Sequence, residues 1–159
     1  AAKDRPAEHF SKLAGRLVRG SDLHVLINCG PAERDTARGI VAAANHPRVT
    51  SLADIDELPI GLTKEAIRRS RLLVTTDSGP RFFGVAFGVP TVTLFGPTST
   101  EWTRTYNGGE RSLSLDLDCQ PCMSRVCPLR HHRCMTDLSV DRVYQSALAA
   151  IEHGQSRAA

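Results

Sequence analysis

Apolar and polar positions change period several times along this chain, and each change marks an element. Pro6 opens a helical pattern in which Phe10, Leu13, Ala14, Leu17 and Val18 share one face, and Gly20 closes it. Leu23 to Cys29 is a near-continuous apolar run of strand length, the kind buried on both sides of a parallel sheet. Gly30 and Pro31 turn the chain into a second helical pattern, Glu33 to Asn45, with Ala37, Ile40, Val41 and Ala44 inward. Val49 to Leu52 reads as a short strand, and Thr63 as the cap of a helix reaching about Ser70. Arg71 to Thr76 is another apolar strand run. The turn Asp77-Ser78-Gly79-Pro80 breaks it, and Arg81 to Phe87 continues as a helix. Gly88-Val89-Pro90 ends that helix, Thr91 to Phe95 is the next strand, and Gly96 to Gly109 is a loop. Arg111 to Leu117 alternates like an edge strand. Ser139 caps a last helix with Val140, Val143, Leu148 and Ile151 as its stripe.

Strands alternating with helices predict βαβ units and a Rossmann-like, three-layer α/β fold with a parallel sheet. No repeat and no low-complexity linker interrupts the pattern. The chain opens on a helix where a doubly wound domain usually opens on a strand, so its leading edge reads as cut.

Composition narrows the function classes. The 159 residues fit one domain, taken as residues 1–159, and suffice for a sizeable core. The hydrophobic fraction is 41% and the charged fraction 23%, which argues against disorder and against a disulfide-stapled mini-protein. No apolar run is long enough for a membrane span, and Ala1 to Phe10 do not read as a signal peptide. A formal charge of +3 suits anionic ligands but is far from a nucleic-acid footprint. Aromatic residues are 5%, too few for a base-stacking platform, so no nucleic-acid partner is expected. No Gly-x-Gly-x-x-Gly follows any strand, which disfavours a dehydrogenase.

Two βα junctions carry candidate chemistry. At Asp77 to Arg81 a strand ends in an acid, a tight turn follows, and a helix starts at once. Pro80 suits the first helical turn, Gly79 permits close approach of a ligand, and the helix N-terminus favours an anion such as a pyrophosphate. An ordinary βα turn with a capping Asp or Ser is the alternative. At Gly30 to Glu33 the acid at the helix start either accepts hydrogen bonds from ribose hydroxyls or merely complements the helix dipole. Trp102 and Tyr106 either pack on a sugar or adenine or anchor their loop. His24, Cys29 and Phe95 are expected in the core.

Cysteine placement adds a third candidate. Cys119, Cys122, Cys127 and Cys134 form Cys-x2-Cys-x4-Cys-x6-Cys, with His131 and His132 between them, while Cys29 stands alone. Four thiolates suit tetrahedral Zn²⁺, an iron–sulfur cluster less well, and free thiols or adventitious disulfides are the alternatives. Without a secretory signal a reducing, cytoplasmic setting is expected. Arg125, Arg130 and Arg133 make the segment basic, fit for a phosphorylated acceptor, a membrane surface, or simply solvent.

These residues together carry a resemblance. Lys3 followed by Pro6-Ala7-Glu8-His9-Phe10, the Gly30-to-Glu33 turn, Asp77-Ser78-Gly79-Pro80, Gly96-Pro97-Thr98, Cys119-Gln120-Pro121-Cys122, Cys127-Pro128 and Cys134-Met135 are similar to the pattern of family 9 glycosyltransferases, the lipopolysaccharide heptosyltransferase family. The match runs over nearly the whole chain. The resemblance implies the C-terminal half of a GT-B enzyme, the domain that binds a nucleotide diphosphate sugar such as ADP-heptose. It implies that Lys3 contacts the pyrophosphate, that Glu33 holds the ribose, and that Asp77, Ser78 and Gly79 line the diphosphate and sugar pocket. The family's His after Asp-Ser-Gly-Pro-x is Phe82 here, so Arg81 is expected as the replacement contact. The resemblance further implies an inverting transfer that needs no cofactor, with a catalytic base on an N-terminal acceptor domain outside this chain. A glycolipid acceptor would be met through that domain, and peripheral contact with the inner membrane fits the same picture. A nucleotide-sugar epimerase or hydrolase half, and a cysteine-cluster metal or nucleic-acid module, are the rival readings.

Overall fold

The computed structural model describes residues 2–106 and 108–158. The backbone divides into two compact units. One contains residues 6–63, and the other joins residues 1–5 to residues 64–159.

In the unit of residues 6–63, helix α1 (Ala7–Arg19) starts after Pro6 and ends at Gly20. Strand β1 (Val25–Ile27) leads through a 3₁₀ turn at Pro31–Glu33 into α2 (Arg34–Ala44), and β2 (Val49–Ser51) lies parallel to β1. Ala14, Val18, Ala44 and Val49 form one buried cluster with Val25, Ile27 and Val41 against it. Cys29, Ala37, Leu52 and Ala53 form a second. Asn45 ends α2 in the left-handed conformation, φ 46°, a role its short polar side chain tolerates. Arg48 ties the loop before β1 to α1 by donating to the carbonyls of Val18, Ser21 and Leu23.

Two expectations change here. The run around β1 is not buried on both faces: Val25 and Ile27 pack inward, while Leu26, on the opposite face of the pleat, is 45% exposed. His24 is exposed, whereas Cys29 and Phe95 are buried as expected. Continuous apolar sequence could not separate a strand buried on one face from one buried on two.

Helix α3 (Ile60–Arg68) starts three positions before Thr63, directly after Pro59, so Thr63 lies inside the helix. Its hydroxyl donates to Asn28 Oδ1 at 3.3 Å instead of capping.

The second unit holds a three-stranded parallel sheet in the order β3 (Leu73–Thr76), β4 (Thr91–Leu94), β5 (Glu110–Leu113). Helix α4 (Gly79–Ala86) makes the crossover between β3 and β4. All four residues of central strand β4 are buried, while the flanking strands are only partly so. A short helix α5 (Arg133–Thr136) precedes α6 (Val140–Ala158). Ser139 caps α6 through its hydroxyl, which accepts from Arg142 N–H at 3.2 Å. The deepest line on α6 is Val143, Ala147 and Ala150, with Leu148 and Ile151 half-buried beside it. Phe95, Leu94, Val92, Met135, Leu138 and Val143 form the buried centre of this unit. The architecture is α/β with parallel sheets. Among the described residues, no helix is long and apolar enough to cross a membrane.

Glycines set two local geometries in α4. Gly88 adopts φ +69° after the helix, and Val89 N–H returns to the Gly84 carbonyl at 2.9 Å. Gly84 faces the sheet so closely that a Cβ would lie 2.6 Å from Thr91 Oγ1 and 2.7 Å from Leu73 Cδ2. Gly84→Ala is therefore expected to destabilise the chain by about 1–3 kcal/mol through overpacking. Urea titration followed by circular dichroism checks this. Gly15→Ala, whose nearest neighbour is the movable tip of Arg19, is the milder comparison.

Candidate functional site

Asp77 ends β3 at the carboxyl edge of the parallel sheet, and Thr98 reaches it from the loop after β4. Thr98 Oγ1 donates to Asp77 Oδ2 at 2.7 Å. Lys3, from the far end of the sequence, donates to the same oxygen at 3.2 Å and to the Asp77 carbonyl at 2.9 Å. The Lys3 side chain remains 43% exposed, so its ammonium keeps a face toward solvent. Lys3 and Asp77 are thus brought together.

Arg81, one turn into α4, occupies the other side of Asp77. Its NH1 donates to Asp77 Oδ1 at 3.0 Å and to Thr103 Oγ1 at 2.8 Å. NH2 donates to the Thr103 carbonyl at 2.9 Å and to Glu110 Oε2 at 3.2 Å, and Nε donates to Glu110 Oε1 at 2.5 Å. A guanidinium has five N–H donors, and these five bonds engage them all. The side chain is 1% exposed and packs between the rings of Phe82 and Phe95, 5.2 and 4.8 Å from their centroids. The expected contact between Arg81 and a phosphate is therefore not what this arrangement offers. Arg81 braces the βα turn from behind, because two carboxylates and Thr103 claim it before any ligand arrives.

Glu110 completes the network. Thr93 Oγ1 donates to its Oε1 at 2.6 Å, and Thr105 donates to Oε2. This partner was not among the sequence candidates. The alternation that marked an edge strand began at Arg111, one residue past it.

Burial alone would raise the pKa of Asp77. Hydrogen bonds from Thr98 and Lys3 and the charges of Lys3 and Arg81 outweigh it, holding the carboxyl below its ordinary range. Glu110 follows the same balance, with burial opposed by Arg81, Thr105 and Thr93, and also ends up lowered. Both carboxylates are ionised at neutral pH, so the set of Lys3, Asp77, Arg81 and Glu110 is formally neutral. An anion would meet the exposed ammonium of Lys3 and the start of α4.

At that helix start Ser78 occupies the N-cap position, but its side chain makes no capping bond. Its hydroxyl donates to the Thr76 carbonyl at 3.2 Å and lies 3.3 Å from Thr75 Oγ1. Pro80 sits in the first turn as expected. Gly79 is exposed, its φ lies outside the left-handed region, and a Cβ there would meet no protein atom within 4 Å. Packing within the chain does not require glycine at this position.

Glu33 belongs to the other unit. Its Oε2 accepts from Gly30 N–H at 2.8 Å, closing the 3₁₀ turn, and the side chain is exposed. Trp102 and Tyr106 are 78% and 84% exposed, with Arg104 stacked 5.2 Å from the Tyr106 ring, so neither residue anchors its loop by burial.

The family model for glycosyltransferase family 9 (heptosyltransferase) matches residues 1–132. The chain belongs to that family. Lipooligosaccharide heptosyltransferase 2 of Campylobacter jejuni is 31% identical over 148 residues, covering 92% of this chain and 46% of that protein. Lipopolysaccharide heptosyltransferase 1 of Pseudomonas aeruginosa is 29% identical, covering 86% of this chain and 38% of that one. The chain thus spans less than half the length of these curated relatives. Among solved structures, E. coli ADP-heptose lps heptosyltransferase II superposes with a TM-score of 0.81 at 23% identity, over 97% of this chain and 44% of that one. E. coli heptosyltransferase WaaC with ADP-2-deoxy-2-fluoro heptose gives 0.68 at 18% identity, over 91% and 38%. The structural likeness establishes the shared fold.

All four clustered cysteines of this family 9 chain are free thiols. Cys127 and Cys134 are buried, and Cys119 and Cys122 half-buried. Cys119 Sγ lies 4.0 Å from His131 Nε2. Among the described residues, no three His, Cys, Asp or Glu side chains are already drawn together as a metal-holding group.

The lowered carboxylates make stability sensitive to acid. The unfolded chain binds more protons than the native one as pH falls through the ordinary carboxylate range. The contribution of Asp77 and Glu110 is therefore full above that range and lost below it. Denaturant midpoints are expected to fall between roughly pH 5 and pH 3. Glu110→Gln should start less stable at neutral pH and lose less on acidification. An unchanged slope in the variant would count against this account of the network.

Proposed function

We propose that this chain is the donor-binding, C-terminal half of a heptosyltransferase, and that it grips the diphosphate of a nucleotide sugar of the ADP-heptose kind at the β3–α4 turn. The observation that carries the reading is Lys3. Its ammonium is held at the carboxyl edge of the sheet by Asp77, keeps a solvent-facing side, and stands by a helix start whose first residue is a glycine the protein itself does not need. The helix dipole favours an anion there and Gly79 lets it approach the backbone, while Pro80 offers no N–H and that of Arg81 bonds the Ser78 carbonyl at 3.1 Å. One solved relative supports the donor class: E. coli heptosyltransferase WaaC is described both with ADP-2-deoxy-2-fluoro heptose and with ADP.

On this reading the chain stabilises the leaving group. An acceptor hydroxyl oxygen forms a bond to the anomeric carbon. The bond from that carbon to the diphosphate oxygen breaks, and the diphosphate departs with the electron pair. A base on a companion domain takes the hydroxyl proton. Negative charge grows on the diphosphate as the bond breaks, so Lys3 and the α4 N-terminus act most strongly in the transition state. Asp77 and Arg81 touch no ligand in this scheme; they hold the ammonium and the turn in place. The acceptor, a lipopolysaccharide-type glycolipid, would be bound by the companion domain.

Calorimetric titration with ADP and with adenosine tests the assignment. A charge-assisted contact of about 1.5–3 kcal/mol makes Lys3→Ala weaken ADP binding about ten-fold or more, with adenosine nearly unaffected. Equal loss for both ligands, or a wild-type chain that binds adenosine as well as ADP, would remove Lys3 from the diphosphate site.

A further inference from the structure

The cysteine segment is built around a cavity that the donor site does not use. Residues 114–132 contain neither helix nor strand, a length of irregular chain that compact domains rarely carry without a function or a staple. Cys119, Cys122, Cys127, Cys134 and His131 all line one cavity of about 20 Å³, closed on other sides by residues such as Pro97 and Leu129. That is room for a single water-sized sphere. Four of the chain's five cysteines thus line one cavity, while the fifth, Cys29, lies in the other unit.

The backbone of the segment is held in unusual conformations. Met123, Arg130 and His132 hold left-handed conformations at φ 54°, 57° and 51°. Non-glycine residues in that region cost energy that surrounding structure must offset. Apolar packing offers little offset here, since Met123, Val126 and Leu129 are 44%, 74% and 59% exposed.

We infer that Cys119, Cys122, Cys127 and Cys134 form a structural site for one thiophilic divalent cation, Zn²⁺, seated in this cavity. The donor set is soft, tetravalent and without an open position, which is the chemistry of a structural zinc centre and not of a catalytic one. The thiols line the cavity without yet meeting at one point. The inference is that the ion draws them in by side-chain rotation, the backbone already being wrapped around the space. His131 is then left to hydrogen-bond Cys119 from outside the coordination shell, as ligand-supporting groups do.

The site's role follows from what rests on it. Ala2 lines the same cavity, and its N–H donates to the Arg125 carbonyl at 2.9 Å. Arg5 donates to the Met135 carbonyl at 3.2 Å, next to Cys134. Lys3 lies between these two anchors, so the metal would fix the strap that carries it. The metal assignment itself does not depend on the donor reading.

Elemental analysis of the chain, purified without chelator from zinc-replete medium, is expected to give about one zinc per chain. Cys29→Ser should keep it, and Cys122→Ser and Cys127→Ser should lose it. Because the last two variants can also fail by misfolding, the wild-type chain is stripped with chelator and reloaded with Co²⁺. Intense thiolate-to-cobalt charge-transfer bands, with tetrahedral ligand-field bands at lower energy, are expected. Any of the following would overturn the inference: iron in place of zinc, zinc well below stoichiometry, or a Co²⁺-treated chain that shows no thiolate bands while its four clustered thiols react freely in the native state.

Discussion

The guanidinium of Arg81 is withdrawn from water with a partner for every one of its donors, and the rest of its unit is arranged around it. Its five N–H groups draw in Asp77 from the end of β3, Glu110 from the start of β5, and Thr103 from the loop between β4 and β5. Removing one partner of a buried ion pair costs roughly 3–5 kcal/mol, because the other charge is left uncompensated. The pairing therefore fixes which loop conformation the unit can adopt, whatever its net contribution to stability. Asp77 has its second oxygen left over from this arrangement, and Lys3 and Thr98 take it up. The position of the exposed ammonium is thus set by a charge deeper in the protein.

The local parts of this structure were legible in the sequence. Pro6 and Gly20 bracket α1, Ser139 caps α6, and the strand-turn-helix at Thr76 to Pro80 folds as its residues demand. Each of these depends on neighbours a few positions away. What escaped the sequence depends on partners far along the chain. Arg81 reads as a free cation beside a phosphate turn until Glu110, 29 positions away, is seen beneath it. Glu33 carried two open readings, and its bond to Gly30 N–H is a local contact that leaves the carboxylate exposed. Thr63 shows the limit of capping signals, since Pro59 started the helix before the threonine could.

A lysine and an arginine paired to one aspartate would ordinarily suggest a strongly positive site. Here the two cations are matched by two carboxylates, so the loop is preorganised without a standing excess of charge. On the donor-site proposal, attraction for the diphosphate is then short-ranged and directional, carried by one ammonium and a helix end. That favours a ligand placed to reach both over any diffuse polyanion, in keeping with the modest net charge of +3.

The unit that holds Lys3 is discontinuous in sequence: residues 1–5 join it to residues 64–159, and the whole of the other unit is inserted between them. A ribosome therefore delivers the strap first and its partner Asp77 only 74 positions later. During synthesis the inserted unit has all its residues before the strap has anything to bind, so the strap must wait, unsatisfied, for the second sheet to emerge. Contacts closed over so long a span form late and are slow to assemble. An excised piece beginning at Lys64 would keep the sheet, the arginine network and the cysteine segment, yet would lack the ammonium that pairs with Asp77. On the donor-site proposal, the contact that places Lys3 is therefore among the last to close on folding, and removing residues 1–5 would abolish it.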